Sequence, residues 1–192
     1  QVDRRFVSGA KVFQRRISRW GRYTVQNTYG VQVRNDQIGT VALYHTEARR
    51  RLDARSNDNA MVTSAGVYAQ NEIEWRSWLR SNLGLRADTS RYRVDDRIIA
   101  LNTGVATAGI VSPKAGLTMG PWKSTEVYVN AGTGFHSNDA RGTTLRVYAN
   151  GDPAERVTPL VRAKGAELGV RTVRIPHLQS TVALWMMRLG SE

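Results

Sequence analysis

Residues 79–88 decide the fold, because they alternate between apolar and polar side chains in the manner of a β-strand. The stretch reads Leu-Arg-Ser-Asn-Leu-Gly-Leu-Arg-Ala-Asp. One row holds Leu79, Ser81, Leu83, Leu85 and Ala87, and the other holds Arg80, Asn82, Gly84, Arg86 and Asp88. Successive side chains of a strand point to opposite faces. The stretch therefore predicts a strand with one apolar face and one polar face.

The same period-two pattern recurs along the chain and predicts eight strands. It is clear in Ser64–Trp75 and Glu126–His136, where Phe135 falls on the apolar row. It is weaker in Arg22–Arg34, Val105–Met119, Leu160–Thr172 and Gln179–Leu189, and weakest in Phe6–Arg16. These segments exceed the five or six residues of a typical soluble strand.

Short and long links alternate between the predicted strands. The short links are Ser18–Gly21, Trp75–Trp78, Gly120–Lys123 and Arg174–Leu178, and the long links are Asn35–Ala60, Tyr92–Thr103 and Asn138–Val157. Transmembrane β-barrels join their strands by short turns at one end and longer loops at the other. The pattern predicts an all-β, antiparallel transmembrane barrel segment.

Tryptophan supports this interpretation, since four of the five lie in or beside the short links. They are Trp20, Trp75, Trp78 and Trp122. An indole ring combines an apolar body with a polar N–H and is enriched at membrane interfaces. We expect an interface girdle, the alternative being that these side chains cap a sandwich core near its turns.

The polar rows carry too many charges for a dry core. The candidates for a wet lumen are Arg34, Glu72, Arg80, Arg86, Asp88, Lys114, Glu126, Glu167 and Arg171. The alternative is that these side chains face bulk solvent in a soluble protein. Glycine is frequent on the same rows. Glycine allows another part of a protein to approach the sheet closely, but it also marks bulges and bends.

The composition excludes several kinds of chemistry. The chain has 192 residues, a net charge of +12 and no Cys, so thiol catalysis and Cys-ligated zinc are impossible. Its arginines are spread along the chain, which disfavours a nucleic-acid-binding face. His45, His136 and His177 are far apart and lack metal-ligand spacing. In His136–Asp139, neighbouring side chains point to opposite faces and cannot form a triad. We predict no enzyme, no cofactor and no metal site.

Five segments together resemble the barrel of TonB-dependent outer-membrane receptors. They are Gly66–Glu72, Gly84–Asp88, Ser112–Leu117, Gly134–Gly142 and Pro159–Gly169. Their order and spacing match the family through nearly the whole chain, from about Gly30 to Glu192. Each segment alone is a moderately specific match to the family. Five such segments in the same order and spacing are strong support for the resemblance.

The resemblance implies an energised uptake receptor in the outer membrane of Gram-negative bacteria. Such a receptor closes about 22 strands around an N-terminal plug, and the TonB complex acts on that plug. Residues 1–192 would then be eight strands of a partial barrel, an internal fragment without the plug. The implied ligand is a small molecule, most often an iron–siderophore or a related metal chelate.

The cluster Arg49-Arg50-Arg51 with Arg55 lies in the longest predicted link. It is either a solvated loop or a contact for lipopolysaccharide phosphates or an anionic ligand. Two other protein classes remain open at this point. One is a small passive outer-membrane barrel with a structural or adhesive role, because eight strands can close alone. The other is a secreted all-β binding module.

Overall fold

The computed structural model describes residues 2–190, and the side chains of all of these except residues 2, 3, 51, 53 and 55. Eight strands account for most of this range. They are β1 Val2–Trp20, β2 Tyr23–Glu47, β3 Arg50–Arg76, β4 Leu79–Asp96, β5 Gly104–Trp122, β6 Thr125–Ser137, β7 Leu160–Ile175 and β8 Leu178–Leu189. A 3₁₀ turn at Ala100–Asn102 and a short helix α1, Ala140–Thr144, interrupt the loops. Within the described range, neither helical segment has the length and apolarity to cross a membrane.

The strands form one antiparallel meander in chain order, from β1 at one end to β8 at the other. This confirms the predicted all-β antiparallel sheet. Each strand pairs with its neighbours in sequence, as in the continuous register from Val94↔Gly104 to Leu79↔Met119 between β4 and β5. In the described part of the chain β1 and β8 do not pair, so these eight strands form an open sheet and not a small closed barrel.

Two-residue turns join the strands at one end of the sheet, where the four short links were predicted. They lie at residues 21–22, 77–78, 123–124 and 176–177. Several of these residues have positive φ, including Gly21 at 58°, Lys123 at 49° and Ser124 at 62°. Consecutive positive φ values are typical of hairpin turns whose twist matches that of the strands. We call this end of the sheet the tight-turn end.

The predicted long link at Asn35–Ala60 is wrong, because most of this segment is strand. β2 continues to Glu47 and β3 starts at Arg50, with a tight turn at Ala48 and Arg49 (φ 44° and 66°). The register shifts between Ile38 and Val41 and twice more before the turn. Each bulge moves later side chains to the other face, so the alternation disappears from the sequence although the backbone pairing persists.

The end of the sheet opposite the tight-turn end, here called the loop end, has its own apolar cluster. It consists of Ile38, Val41, Ala60, Tyr92, Val94, Ala140 and Leu160. Tyr92 is fully buried, and its hydroxyl lies 2.8 Å from Ser137 Oγ and donates to the carbonyl of Pro159 at 3.2 Å. The segment from Asn138 to Pro159 is thereby packed onto the upper ends of the strands.

Candidate functional site

All nine residues predicted to line a lumen lie on one face of the sheet. Direct register partners share a face, and these partners link the candidates across strands: Arg86 lies opposite Tyr68 and Ser112, and Lys114 lies opposite Gly84 and Gly132. We call this surface the charged face, defined by Arg34, Glu72, Arg80, Arg86, Asp88, Lys114, Glu126, Glu167 and Arg171.

The opposite surface, here called the apolar face, carries the alternating apolar row. It is defined by Val67, Leu83, Leu85, Val127, Val129 and Leu168. Val67, Leu83 and Leu85 are 53–55% exposed, which is high for large apolar side chains in the middle of a sheet. A broad apolar surface of this kind marks contact with protein or lipid.

An ion-pair network crosses the charged face near the tight-turn end. Glu126 on β6 accepts hydrogen bonds from Arg80 on β4 at 2.7 Å and from Arg171 on β7 at 2.5 Å. Since β5 lies between β4 and β6, one carboxylate ties side chains from both sides of that strand. On the neighbouring row Glu167 accepts a hydrogen bond from the hydroxyl of Tyr128 at 2.8 Å.

A polar cleft of about 610 Å³ lies on the same face nearer the loop end. Arg86 binds Asp88 with contacts of 2.6–3.0 Å, and Arg34 binds Asp36 at 2.7 and 2.9 Å. Both pairs line the cleft. Its walls thus present paired guanidinium and carboxylate groups, which can form charge-assisted hydrogen bonds with a polar ligand.

Phe135 does not join the apolar face as its alternation predicts. The register between β5 and β6 begins at Lys114↔Gly132, and β6 has no register partner on β5 beyond it. Phe135 instead packs against the apolar cluster around Tyr92 and lines the polar cleft. The alternation fails here because β6 no longer pairs with β5 beyond Gly132, although it stays paired with β7 as far as Ser137↔Leu160.

Four of the five tryptophans lie at the tight-turn end. Trp20, Trp78 and Trp122 are exposed, while Trp75 is half-buried and packs edge-on against Tyr23 with ring centroids 5.2 Å apart. Trp78 and Trp122 lie 6.2 Å apart, and Trp75 Nε1 donates to Ser81 Oγ at 2.8 Å. The rings and their polar atoms are therefore gathered at one edge of the apolar face.

The arginine cluster lies at a hairpin tip and not in a long loop. Arg49 occupies the turn between β2 and β3, and Arg50 begins β3. The side chains of Arg51 and Arg55 lie outside the described residues. The predicted loop is absent because β2 and β3 stay paired as far as Glu47↔Arg50. This pairing carries the hairpin tip far above the remaining strands.

The three histidines remain apart in the structure. His45 lies in β2, His136 in β6 and His177 in the turn after β7. Among the described residues no group of three or more His, Asp or Glu side chains is arranged to hold a metal ion.

Sequence reasoning missed a buried polar cluster at the loop end. Asp58 and Asp96 are direct register partners on β3 and β4, and Arg141 of α1 lies 3.8 Å from Asp58. Burial raises the pKa of Asp58 to about 6, the charge of Asp96 adds to this effect, and Arg141 opposes it. Asp139 caps α1 and binds Arg141 at 2.7 Å, and these hydrogen bonds lower its pKa. The Asp before a short helix was the available signal.

Asn102 fastens the two loops together beside this cluster. Its buried side chain accepts hydrogen bonds from the backbone N–H groups of Arg146 (2.9 Å) and Val147 (3.1 Å). It also donates to the carbonyl of Val147 and to Asp96. The loops after β4 and β6 therefore form one structural unit above the charged face.

Comparison with known proteins identifies the family. The family model described as TonB dependent receptor-like, beta-barrel matches residues 3–189. No curated protein sequence matches the chain. The chain belongs to the TonB-dependent receptor β-barrel family, which comprises receptors and not enzymes.

Solved structures of such receptors share the fold at low sequence identity. The ferric citrate transporter FecA in its unliganded form superposes with a TM-score of 0.76 at 13% identity, over 96% of this chain and 27% of FecA. The ferric-catecholate import receptor Fiu from E. coli K12 gives 0.77 at 13% identity, over 96% and 31%. The ferric preacinetobactin receptor BauA from Acinetobacter baumannii gives 0.73 at 13% identity, over 95% and 28%. The chain spans less than a third of the length of these receptors.

Proposed function

We propose that the chain forms eight consecutive strands in the barrel of an outer-membrane receptor for TonB-dependent uptake. The charged face borders the lumen, and the apolar face contacts lipid. The tight-turn end faces the periplasm and the loop end faces outward, as in barrels with short periplasmic turns.

The division of the sheet into two chemically distinct faces is the observation that carries this proposal. All nine lumen candidates lie on one face, and the exposed leucine and valine row lies on the other. A reversed orientation would place Arg86 and Glu126 in hydrocarbon, where an Arg near the midplane costs about 2–4 kcal/mol. Trp20, Trp78 and Trp122 at one edge of the apolar face support an interface girdle there.

The ligand we propose is an anionic metal chelate, with an iron–siderophore complex as the leading class. FecA, Fiu and BauA are named for ferric citrate, ferric catecholates and ferric preacinetobactin, and these ligands belong to those proteins. For this chain, support comes from the net charge of +12 and from guanidinium groups lining the polar cleft. Arg49 and Arg50, exposed at the hairpin tip, extend the positive charge outward.

The partners we propose follow from membership in the family. The TonB complex acts through a plug domain outside these residues, and the apolar face contacts outer-membrane lipid and lipopolysaccharide. We propose neither a nucleic-acid partner nor a resident cofactor.

Uptake of radioactive iron tests the ligand class. Iron-starved cells with and without the gene would be supplied with ⁵⁵Fe as citrate, catecholate or hydroxamate chelates. We expect the deletion to abolish uptake of one anionic chelate, and removal of TonB to have the same effect. Uptake that persists unchanged for every chelate in both strains would refute the iron assignment.

Site-directed spin labelling tests the orientation, and these 192 residues contain no cysteine that would compete for the label. Leu85→Cys and Arg86→Cys would be labelled in protein reconstituted into vesicles. We expect the label at residue 85 to be relaxed by oxygen and the label at residue 86 by a water-soluble nickel chelate. The reverse pattern would overturn the assignment of faces.

A further inference from the structure

The segment between β6 and β7, residues 138–159, forms one wall of the polar cleft, and we call it the cover segment. Asp139, Ala140 and Arg141 of this segment line the cleft opposite the strand residues Arg86 and Asp88. The position of the cover segment therefore determines how wide the cleft is at the loop end.

Tyr92 of β4 fixes both ends of the cover segment. Its hydroxyl lies 2.8 Å from Ser137 Oγ, just before the segment, and donates to the carbonyl of Pro159 at 3.2 Å. Since the two ends are held on the strands, a change in the opening of the cleft has to come from the middle of the segment, which contains α1.

The middle of the cover segment lies over a buried carboxylate. Asp58 of β3 is 4% exposed, and Arg141 Nη1 lies 3.8 Å from its Oδ2. Ala140 of α1 packs in the same apolar cluster as Ala60, which is two residues from Asp58 and on the same face of β3. α1 thus shields Asp58 from water, and a movement of α1 away from the sheet would expose it.

A second carboxylate lies directly opposite Asp58 on the neighbouring strand. Asp96 of β4 is its register partner, and like charges in this position destabilise a sheet. Asp96 accepts hydrogen bonds from the N–H groups of Ile98 (2.9 Å) and Ile99 (2.8 Å) and from Asn102 Nδ2 (3.3 Å). These donors stabilise the charged form of Asp96. A proton taken up by the pair therefore goes to Asp58.

Other charged groups act on this pair from α1 and β1. The charged groups around Asp58 are Asp96, Asp139, Arg141 and, through its effect on Asp139, Arg5. The register partner of Asp58 on β2 is the apolar Val41. Burial and then the charge of Asp96 raise the pKa of Asp58 to about 6, Arg141 opposes this shift, and Asp139 adds to it.

The covered state holds a proton that Asp58 would release once α1 moved away. The ordinary pKa of the carboxyl group is 3.8, below its value under α1. Because the pKa is higher in the covered state, that state is favoured in mild acid and loses this advantage as pH rises through about 6.

We propose that Asp58 makes the cover segment a pH-dependent lid on the polar cleft, closed in mild acid and opening at neutral pH. Ionisation of Asp58 adds a buried negative charge beside Asp96 and Asp139, and this charge is better solvated when the lid is open. The consequence for uptake rests on the proposed function, because only there is the cleft a ligand site. The movement of the lid itself does not depend on it.

Hydrogen exchange of the full-length gene product in lipid nanodiscs tests the lid. The backbone N–H groups of Arg146 and Val147 donate to Asn102 Oδ1 and report the opening of the segment. Their protection factors, each relative to the intrinsic exchange rate at the same pH, should fall by up to about tenfold from pH 5 to pH 7.5. Protection in the middle of β4 and β5 should stay constant.

Two variants separate the lid from a general effect of pH. Asp58→Asn lacks the titrating group, so the protection of the cover segment should keep its acid value up to pH 7.5. Asp95→Asn is the matched control, because Asp95 is exposed, lies next to Asp96 and points to the opposite face of β4. It should respond to pH as the wild type does.

Access to the cleft provides a second readout. A spin label at Ser64→Cys, a position that lines the cleft, should be relaxed more strongly by a water-soluble nickel chelate at pH 7.5 than at pH 5. In Asp58→Asn this relaxation should be weak at both pH values.

Three results would overturn the proposal. They are equal protection of Arg146 and Val147 at pH 5 and pH 7.5, protection that increases with pH, and an Asp58→Asn variant that responds like the wild type. A lid that responds to pH in a protein whose deletion leaves the uptake of every chelate unchanged would instead refute the proposed function. The two failures are therefore distinguishable.

Discussion

Tyr68 on β3 lies over Gly30, its register partner on β2, so that a Cβ at residue 30 would come within 2.5 Å of Tyr68 Cζ. The same ring has Lys11 Nζ at 5.4 Å and the Arg86 guanidinium at 5.9 Å from its centroid. Glycine at residue 30 thus lets the ring lie flat on the sheet between two cations. Tyr128 and Gly169 repeat the arrangement on β6 and β7.

Gly30→Ala should destabilise the sheet by about 1–3 kcal/mol, because the new methyl group overpacks against the Tyr68 ring. Gly134→Ala is the matched control, since no atom lies within 4 Å of the Cβ that it would add. We expect the control to be neutral or slightly stabilising. Urea midpoints of the reconstituted protein measure both, and equal midpoints for the two variants would contradict the packing argument.

Glu126→Gln should lower stability by about 1 kcal/mol, because it leaves Arg80 and Arg171 near each other without their shared carboxylate. The value is modest because the two arginine side chains are 35% and 44% exposed and solvent screens the pairs. Glu155→Gln, at an exposed loop position, controls for the loss of one negative charge. High salt should reduce the difference between the two variants, and a difference independent of salt would argue against the ion pairs.

Asp58 should make the loop end more stable in mild acid. Burial, aided by the charge of Asp96, raises its pKa from 3.8 to about 6, while Arg141 lowers it and Asp139 raises it. Because the folded-state pKa exceeds the unfolded value, the stabilisation is complete below about pH 4 and is lost as pH rises through about 6. Asp58 is far beyond the apolar band, since residues 59–76 separate it from the tight turn.

Asp58→Asn removes this titration and should raise stability at pH 7.5 by at most about 3 kcal/mol, the equivalent of two pKa units. Denaturant midpoints between pH 4.5 and 7.5 measure the effect. The wild-type midpoint should fall as pH rises, and the variant should be flatter. Asp139→Asn is the contrasting variant, since the lowered pKa of Asp139 gives stability that is lost only at lower pH. A wild-type midpoint that rises from pH 5 to 7.5 would contradict the sign.

Leu85→Arg should reduce folding into lipid vesicles by about 2–4 kcal/mol, the cost of an arginine facing the middle of the bilayer. Gln70→Arg is the control, because Gln70 lies opposite Gly84 on the charged face of the neighbouring strand. Heat-modifiable migration on gels reports the folded fraction. Equal folding of both variants would show that the apolar face does not contact lipid.

The sequence predicts the parts of this structure where one alternation runs unbroken. Leu79–Asp88 and Glu126–Ala131 keep a single phase, so their strands and faces follow from period two alone. Ile38–Thr46 could not be predicted in this way, because its bulges change the phase repeatedly. Phe135 and the cluster of Asp58, Asp96 and Arg141 depend on how β6 and α1 fold back over the sheet, and such long-range packing leaves no periodic signal.

The 192-residue chain by itself should not fold stably in water. Its apolar face exposes large side chains such as Leu83, Leu85 and Val67, and the edge strands β1 and β8 present unpaired backbone groups that promote aggregation. The charge of +12 opposes association only at low salt, because the Debye length is about 8 Å at physiological ionic strength.

We therefore expect expression of the chain to give inclusion bodies, and refolding to require detergent or lipid. Light scattering in aqueous buffer and circular dichroism with and without detergent measure this. The eight strands enclose no complete lumen, so the refolded chain should not bind ferric chelates in equilibrium dialysis. A soluble monomer with a cooperative thermal transition in water would contradict the membrane assignment, because the apolar face would then be stable against solvent.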